Sequence, residues 1–254
     1  MKREESFSIG ERAELVVVVA NSNVVLTPGE AGRIDVVLEG DEATLDRFDI
    51  THAGDLVSIR VRKEGGRRWF QSRVSVTVAL PPGSDIDLRT ASGDIYGSVD
   101  TGTLLVGSAS GDVRFGAVSR RAKIKSASGD VSIGDVAGDF DGVSASGDIR
   151  IGDVAGDLSV STASGDLSVE SVAGRAVTKS ASGDTSIGRF SGPSLNAVSM
   201  SGDIDVGFAP GMSIDATIST LSGSLRNHVT PSDGEPTKHA TLRIKTLSGD
   251  IVLR

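Results

Sequence analysis

Residues 127–166 read ASGDVSIGDVAGDFDGVSASGDIRIGDVAGDLSVSTASGD, and this stretch decides the fold. Ala-Ser-Gly-Asp occurs in it three times at a constant spacing of 18 residues, and Gly-Asp also recurs midway between the copies. After four of the five Gly-Asp pairs at this nine-residue spacing (129, 147, 156 and 165, but not 138), two apolar residues flank one other residue, which is typical of a short strand with one buried face. Glycine permits a tight turn, and aspartate can hydrogen-bond within it. Each 18-residue unit therefore predicts one coil of two strands and two turns.

The repeat extends beyond this stretch and keeps its apolar positions in register. Identical copies of the tetrapeptide begin at Ala91, Ala109, Ala127, Ala145, Ala163 and Ala181, and variant copies begin at Met200, Leu221 and Leu247. One stacked apolar column contains Val113, Val131, Ile149, Leu167, Thr185 and Ile204, and the next contains Phe115, Ile133, Ile151, Val169, Ile187 and Val206. These columns predict an all-β fold, a single parallel β-solenoid (β-helix) with 18-residue coils. The alanine of each turn is expected to pack where the two walls of a coil converge.

The N-terminal part of the chain lacks the repeat but contains strand patterns. Apolar alternation bounded by turn residues predicts strands at 14–20, 34–39, 56–62 and 73–80. A stack of repeats needs a terminal unit that covers its first open edge. We therefore expect residues 1–83 to form an irregular N-terminal β cap that is continuous with the solenoid.

Residues 84–254 are expected to form the solenoid repeats, regular over 93–203 and irregular over 204–254. The last predicted strand pair, within 241–254, carries Arg243, Lys245 and Arg254. We expect these charges near the terminal edge, where charge discourages pairing with another sheet.

The composition bounds the classes of function. The formal net charge is −8 at pH 7 and the chain has no cysteine. These values exclude disulfides and thiolate metal sites, and they argue against a broad nucleic-acid surface. No secretory signal is visible, and the apolar run at 15–20 is too short to span a membrane. We therefore expect a cytoplasmic protein without a transmembrane segment, associating with the cell envelope only through a partner.

Stacking also predicts a ladder of aspartates along one edge. It contains Asp94, Asp112, Asp130, Asp148, Asp166, Asp184 and Asp203. Carboxylates at strand spacing repel each other by about 1 kcal/mol in water, so we expect each to accept turn N–H groups and to stay solvated. The alternative is a row of bound Ca²⁺, as in the calcium-binding β-roll, although that repeat requires Gly-Gly-x-Gly-x-Asp.

A column of hydroxyl groups precedes the same turn. It contains Ser108, Ser126, Ser144, Thr162, Ser180 and Ser199. A flat hydroxyl array can bind sugars or ice, whereas hydrogen bonding within the turn is the more common role of such residues.

One segment reverses the overall charge of the chain. Residues 60–73 read RVRKEGGRRWFQSR, with six basic residues, one acid and the only tryptophan. Two central glycines predict a hairpin whose tip presents Arg67, Arg68, Trp69 and Phe70 as candidate partner-binding residues. Such a tip suits an anionic surface, either lipid head groups or a partner protein. The alternative is an amphipathic cap whose tryptophan covers the end of the core.

No motif indicates catalysis, a metal or a cofactor. His52, His228 and His239 lie in no nucleophile or metal motif, and no Gly-Lys-Ser/Thr follows a glycine-rich turn. We therefore expect a non-enzymatic binding or scaffold protein that presents a rigid surface to a protein or envelope partner. A calcium-dependent adhesive module and a polysaccharide-acting β-helix enzyme are the alternatives.

The repeated Ser-Gly-Asp strands, the irregular N-terminal β segment and Leu80-Pro81-Pro82-Gly83 together resemble the bacterial "putative adhesin" family of unknown function. That family is also grouped with the toast-rack β-solenoids of cell-envelope stress proteins. The resemblance covers nearly the whole chain. It implies a right-handed solenoid without catalytic residues and an adhesin-like binding role.

Changing Ile151 to Asp tests the column assignment. The assignment places this side chain in the core, so the substitution would bury an unpaired charge and lower the free energy of unfolding by about 3–5 kcal/mol. Urea unfolding followed by circular dichroism measures the change. A free energy of unfolding close to that of the unmodified protein would contradict the assignment.

Overall fold

The computed structural model describes residues 1–10, 12–62, 74–229 and 238–254. Within these ranges the chain is all-β with one short helix. It forms two compact units, residues 1–129 and 130–254, which are described separately below as unit 1 and unit 2. The helix found in the described ranges is far too short and polar to cross a membrane. The predicted boundary between cap and solenoid at residue 83 stays a prediction.

Unit 1 consists of strands and the helix α1 (Glu42–Leu45), which is capped by the Asp41 carboxylate accepting the N–H of Thr44 at 2.9 Å. Its strands are β1 (Lys2–Ser8), β2 (Glu14–Val18), β3 (Ser22–Pro28), β4 (Arg33–Glu39), β5 (Phe48–Ala53), β6 (Leu56–Val61), β7 (Val74–Leu80), β8 (Ser84–Ser92), β9 (Ile95–Gly97), β10 (Thr101–Ser110), β11 (Val113–Phe115) and β12 (Val118–Ser126).

Unit 1 combines parallel strands with an antiparallel outer part. Its two strand orders are β1-β4-β7-β3-β9-β11 and β12-β10-β8-β2-β6-β5. Strand β4 pairs antiparallel with β1 and β7, and β5 pairs antiparallel with β6. The predicted strands correspond to β2, β4, β6 and β7 within two residues at their ends, whereas β1, β3 and β5 were not predicted. Strand β1 reads KREESFS, so its pairing depends on backbone bonds to β4 rather than on an apolar pattern.

Unit 2 consists of strands with parallel pairing. The strands are β13 (Val131–Ile133), β14 (Phe140–Ser146), β15 (Ile149–Val154), β16 (Leu158–Ser164), β17 (Leu167–Val172), β18 (Ala176–Ser182), β19 (Thr185–Phe190), β20 (Ser194–Ser201), β21 (Ile204–Phe208), β22 (Met212–Ser222), β23 (Leu225–Asn227), β24 (Lys238–Ser248) and β25 (Ile251–Leu253). Their orders are β13-β15-β17-β19-β21-β25-β23 and β22-β24-β20-β18-β16-β14.

The register of unit 2 repeats the 18-residue spacing of the sequence. Ile149 pairs with Leu167, and Leu167 pairs with Thr185. Every member of the two predicted apolar columns is buried, in unit 1 as in unit 2. This confirms the columns as core positions. In β13 to β21, β24 and β25, alternate residues fill the interior and most residues between them face outward.

The end of unit 2 differs from the prediction. Strand β24 lies between β20 and β22, and β25 lies between β21 and β23. The expectation that Arg243, Lys245 and Arg254 lie near the terminal edge is therefore wrong, because the last strand pair is one position inside it. In this inner position Leu242 and Ile244 are buried.

The stacking of coils requires glycine in the Ser-Gly-Asp turn. Gly165 has a φ of 120°, a region that residues with a side chain rarely adopt. A Cβ atom on Gly165 would also collide with the carbonyl oxygen of Gly147 in the preceding coil. The alanine two residues earlier, Ala163, is exposed, whereas Thr162 before it is buried. The prediction that alanine packs between converging walls is therefore wrong; the hydroxyl residue takes that position.

Replacing Gly165 by Ala should lower the free energy of unfolding by about 2–4 kcal/mol, because it adds both backbone strain and a collision with backbone. Gly107→Ala is the matched control. Gly107 has no positive φ, and the nearest atom to an added Cβ is the Arg89 Cγ at 4.0 Å. Chemical denaturation of both variants measures the difference. Equal stability of the two would contradict the role given to the stacked turn.

Candidate functional site

Within each unit the aspartate ladder connects one coil to the next. In unit 2 the Asp148 N–H donates to the Asp130 Oδ1 at 3.0 Å, and the Asp166 N–H donates to the Asp148 Oδ1 at 3.0 Å. The same bond continues through Asp184, Asp203 and Asp250, and it ends where the Ser224 N–H donates to the Asp250 Oδ1 at 2.8 Å. In unit 1 the ladder begins at Asn23, whose Oδ1 accepts the Asp94 N–H at 3.1 Å. The aspartates therefore accept backbone N–H groups, as expected, but from the next coil rather than from their own turn.

These bonds explain how stacked carboxylates are tolerated. A hydrogen bond from a backbone N–H to a carboxylate is stronger than one between neutral groups and offsets part of the mutual repulsion. The Ser224 N–H holds the pKa of Asp250 below its usual range, and the nearby Arg226 guanidinium acts in the same direction. In the part of the chain that the structure describes, no group of three or more His, Asp or Glu side chains is placed to hold a metal ion.

The hydroxyl column lies inside the fold rather than on its surface. All six predicted members are buried. Several donate to carbonyl oxygens of the turn that follows, including Ser108 to Ser110 at 3.1 Å and Ser126 to Ser128 at 3.1 Å. The column therefore closes the turn and offers no flat array to a sugar or to ice.

The predicted partner-binding residues Arg67, Arg68, Trp69 and Phe70 lie outside the described residues. The described chain reaches Arg62, after the end of β6, and resumes at Val74, the first residue of β7. These four residues stay a prediction.

Strand β12 carries a basic surface that the sequence analysis did not single out. It reads VSRRAKIKS, with four basic residues and no acid. Ala122 and Ile124 are buried, so Arg121, Lys123 and Lys125 face outward on the alternate positions. The signal was present as a short run of cations in an acidic chain. Its meaning depended on knowing that the alternate residues share one face.

Neighbouring strands add further cations to the same outer face of unit 1. Val18 pairs with both Arg60 and Arg89, and Gly107 pairs with both Arg89 and Lys125. One row across the sheet therefore runs Arg60, Val18, Arg89, Gly107, Lys125. Strands are about 4.8 Å apart, so the cations of this row recur at intervals of about 10 Å.

An open groove of about 430 Å³ lies between these cations. Leu105 and Gly107 form its floor, with Arg89 on one side and Lys123 and Lys125 on the other. The groove exists because Gly107 has no side chain where its neighbours carry long ones. We refer to the outward side chains of Arg60, Arg89, Arg121, Lys123 and Lys125 as the basic face.

A partly buried ion pair fixes one end of this face. The Arg120 guanidinium donates to the Asp85 carboxylate, and Thr103 donates its N–H to the same carboxylate at 2.7 Å. An extra residue in β12 between Val118 and Arg121 forms a bulge, which places Arg120 beside Asp85. Burial alone raises the pKa of Asp85, but the Thr103 N–H and Arg120 outweigh burial and hold it below its usual range.

Comparison with known families decides the assignment of the fold. Residues 13–254 match the Toastrack DUF4097 family. The chain belongs to this family. The match confirms the toast-rack resemblance, and it extends over both units. No curated protein matches the chain.

Solved structures similar to the chain are distant in sequence and in superposition. One is described as a "putative adhesin" from Bacteroides fragilis, with 12% identity, coverage of 100% of this chain and 97% of that one, and a TM-score of 0.41. Another is described as a "putative lipid binding protein" from Parabacteroides distasonis, with 12% identity, coverage of 100% and 96%, and a TM-score of 0.37. A "putative cell adhesion protein" from Clostridium sporogenes has 9% identity, coverage of 100% and 99%, and a TM-score of 0.25.

Replacing Asp85 by Asn should make stability less dependent on pH in acid. The folded pKa of Asp85 lies below the ordinary value of 3.8 for an aspartate, so its contribution to stability is present above that value and is lost as the pH falls through the folded pKa. We expect the substitution to cost about 1–3 kcal/mol at pH 7 and less at about pH 3. Urea unfolding at both pH values measures this.

Asp100→Asn is the matched control, since it removes the same charge from an exposed aspartate. A cost for Asp85→Asn that is the same at both pH values, or no larger than that of the control, would contradict the role given to the ion pair.

Proposed function

We propose that this protein is a non-enzymatic, adhesin-like binding or scaffold protein whose coils form a single right-handed β-solenoid. It presents a rigid surface to an anionic partner, either a protein or a component of the cell envelope. The observation that carries the proposal is the basic face of unit 1, in a chain whose net charge is −8.

The basic face is supported by a well-packed core. Leu104, Ala122 and Ile124 lie beneath it and are buried. The backbone positions of the cations are therefore fixed, while their long side chains can adjust to a ligand. Guanidinium and ammonium groups bind carboxylates and phosphates well, and the surrounding negative charge of the chain opposes anions elsewhere on the surface.

The chemistry of the groove favours binding over catalysis. Among the described residues that line it, Asp87 is the one carboxylate, and it forms an ion pair with Arg89 at 3.1 Å. A polysaccharide-cleaving enzyme that uses two carboxylates would need a second one within about 10 Å on the opposite side of the substrate. The groove instead has cations on both sides, which suits a ligand that carries negative groups.

The test compares binding by the unmodified protein with that of the triple variant Arg121→Glu, Lys123→Glu, Lys125→Glu. Vesicles of phosphatidylcholine with and without phosphatidylglycerol serve as one probe, and affinity capture from a cell-envelope extract serves as the other. We expect a loss of about tenfold or more in binding to the anionic target, and weaker binding by the unmodified protein at high salt.

The matched control reverses three exposed cations of unit 2, Lys179→Glu, Arg189→Glu and Arg243→Glu, and so changes the net charge equally. A loss that is equal in the two variants would indicate a nonspecific charge effect and overturn the assignment to the basic face. A third variant, with Arg67, Arg68 and Trp69 changed to Ser, tests the predicted hairpin tip in the same assays.

A further inference from the structure

The outermost coil of unit 2 exposes residues that occupy core positions. Ile214, Ala216 and Ile218 of β22 pair with Ala240, Leu242 and Ile244 of β24. The three residues of β24 are buried, whereas those of β22 are not. On the other strand of this coil, Leu225 is 50% exposed, while its partner Ile251 is fully buried. Among the described residues, no further strand covers the end of this core.

The exposed apolar surface continues around the adjoining turn. Met200, Leu247 and Leu221 occupy equivalent positions on the adjacent strands β20, β24 and β22. They are 57%, 54% and 84% exposed. Contiguous exposed apolar patches often mark interaction sites, whereas single exposed apolar residues are common on protein surfaces. We refer to the exposed face of β22 and β23, with these three side chains, as the apolar end.

The edge strand β22 lacks the features that protect an open sheet edge. It has 11 residues, reads MSIDATISTLS, contains one charge and no proline, and pairs with β24 without a bulge. Within the described residues no strand pairs with its outer side. The edge strand β1 of unit 1 is different, since Lys2, Arg3, Glu4 and Glu5 form ion pairs along it. Charge of that kind is how natural proteins prevent edge-to-edge pairing.

We infer that the apolar end is the interface of a symmetric dimer, with a second copy of this chain as the occupant. Antiparallel pairing of β22 with its counterpart about a two-fold axis at Thr217 would place Ala216 opposite Ile218, both on the core face. Asp215 would lie opposite Ser219 and not opposite another Asp215. The strand is therefore self-complementary, which a two-fold interface requires.

Two observations favour a second copy in this orientation over other occupants. The aspartate ladder ends at Ser224, which has no carboxylate to accept an N–H from a further parallel coil, so the ladder does not continue into a head-to-tail stack. The segment that connects β23 to β24 within this chain includes residues 230–237, which read TPSDGEPT. That composition offers little apolar surface for covering the exposed core positions.

Sedimentation equilibrium of the full chain over a range of concentrations tests the dimer. We expect the unmodified protein to dimerise. Ile218→Glu and Leu225→Glu should each raise the dissociation constant of the dimer by about tenfold or more. Val143→Glu is the matched control, because Val143 is 44% exposed on β14 and lies away from the apolar end. A protein that is monomeric at all concentrations overturns the inference, as does a dimer that the first two variants leave unchanged.

A cysteine variant gives an independent measurement. The chain has no cysteine, so Thr217→Cys can form a disulfide only between two copies. Because residues directly opposite in an antiparallel pair have Cβ atoms about 4.5–5.5 Å apart, mild oxidation should give a cross-linked dimer. Ser159→Cys, at an exposed position of β16, is the control. Cross-linking of the two variants to the same extent would overturn the proposed interface.

Discussion

The contact on which the rest of the structure depends is the stacking of one Ser-Gly-Asp turn on the next. At this turn the glycine lets the backbone approach the preceding coil where a Cβ would collide with it, as at Gly165. The aspartate then accepts an N–H from the following coil, as Asp148 does from Asp166. Both contacts need a neighbouring turn at a fixed distance. The constant 18-residue spacing therefore follows from the turns, and the strands between them need only be apolar on one side.

This division leaves the outer face of the sheets free to vary. Inward positions are restricted by packing, so their side chains differ in size but are apolar or carry a small hydroxyl group. Outward positions meet no such requirement, and in β12 they hold Arg121, Lys123 and Lys125. A fold built from a repeated turn can therefore carry different surfaces on the same core. The chemistry of a member of the Toastrack DUF4097 family must be sought on that outer face and at the ends of the stack.

The core was predictable from the sequence because its pattern is local and repeated. The apolar columns, including Ile151, needed only the period and the alternation within each strand. The position of the last coil was not predictable, because β24 has a pattern that fits beside β20 or at the edge equally well. The basic face was missed for a related reason, since Arg89 and Lys125 lie far apart in sequence and share a row only after the strands are stacked. The alternation of apolar residues also could not show whether the side chain of Ala163 faces the core or the solvent.

The aspartate ladder gives each stack of coils a direction, and its end in unit 2 reflects that direction. Each N–H donates backwards to the carboxylate of the preceding coil, so a carboxylate in the outermost coil would have no N–H to accept. It would be repelled by Asp250 with no N–H bond to offset that repulsion, beside exposed core positions such as Leu225. Ser224 removes that unpaired charge from the end of the ladder. The outermost coil therefore keeps its apolar residues and loses its ladder charge, which is the opposite of what a protected sheet edge shows. This combination favours an end that makes contact over one that only terminates the fold.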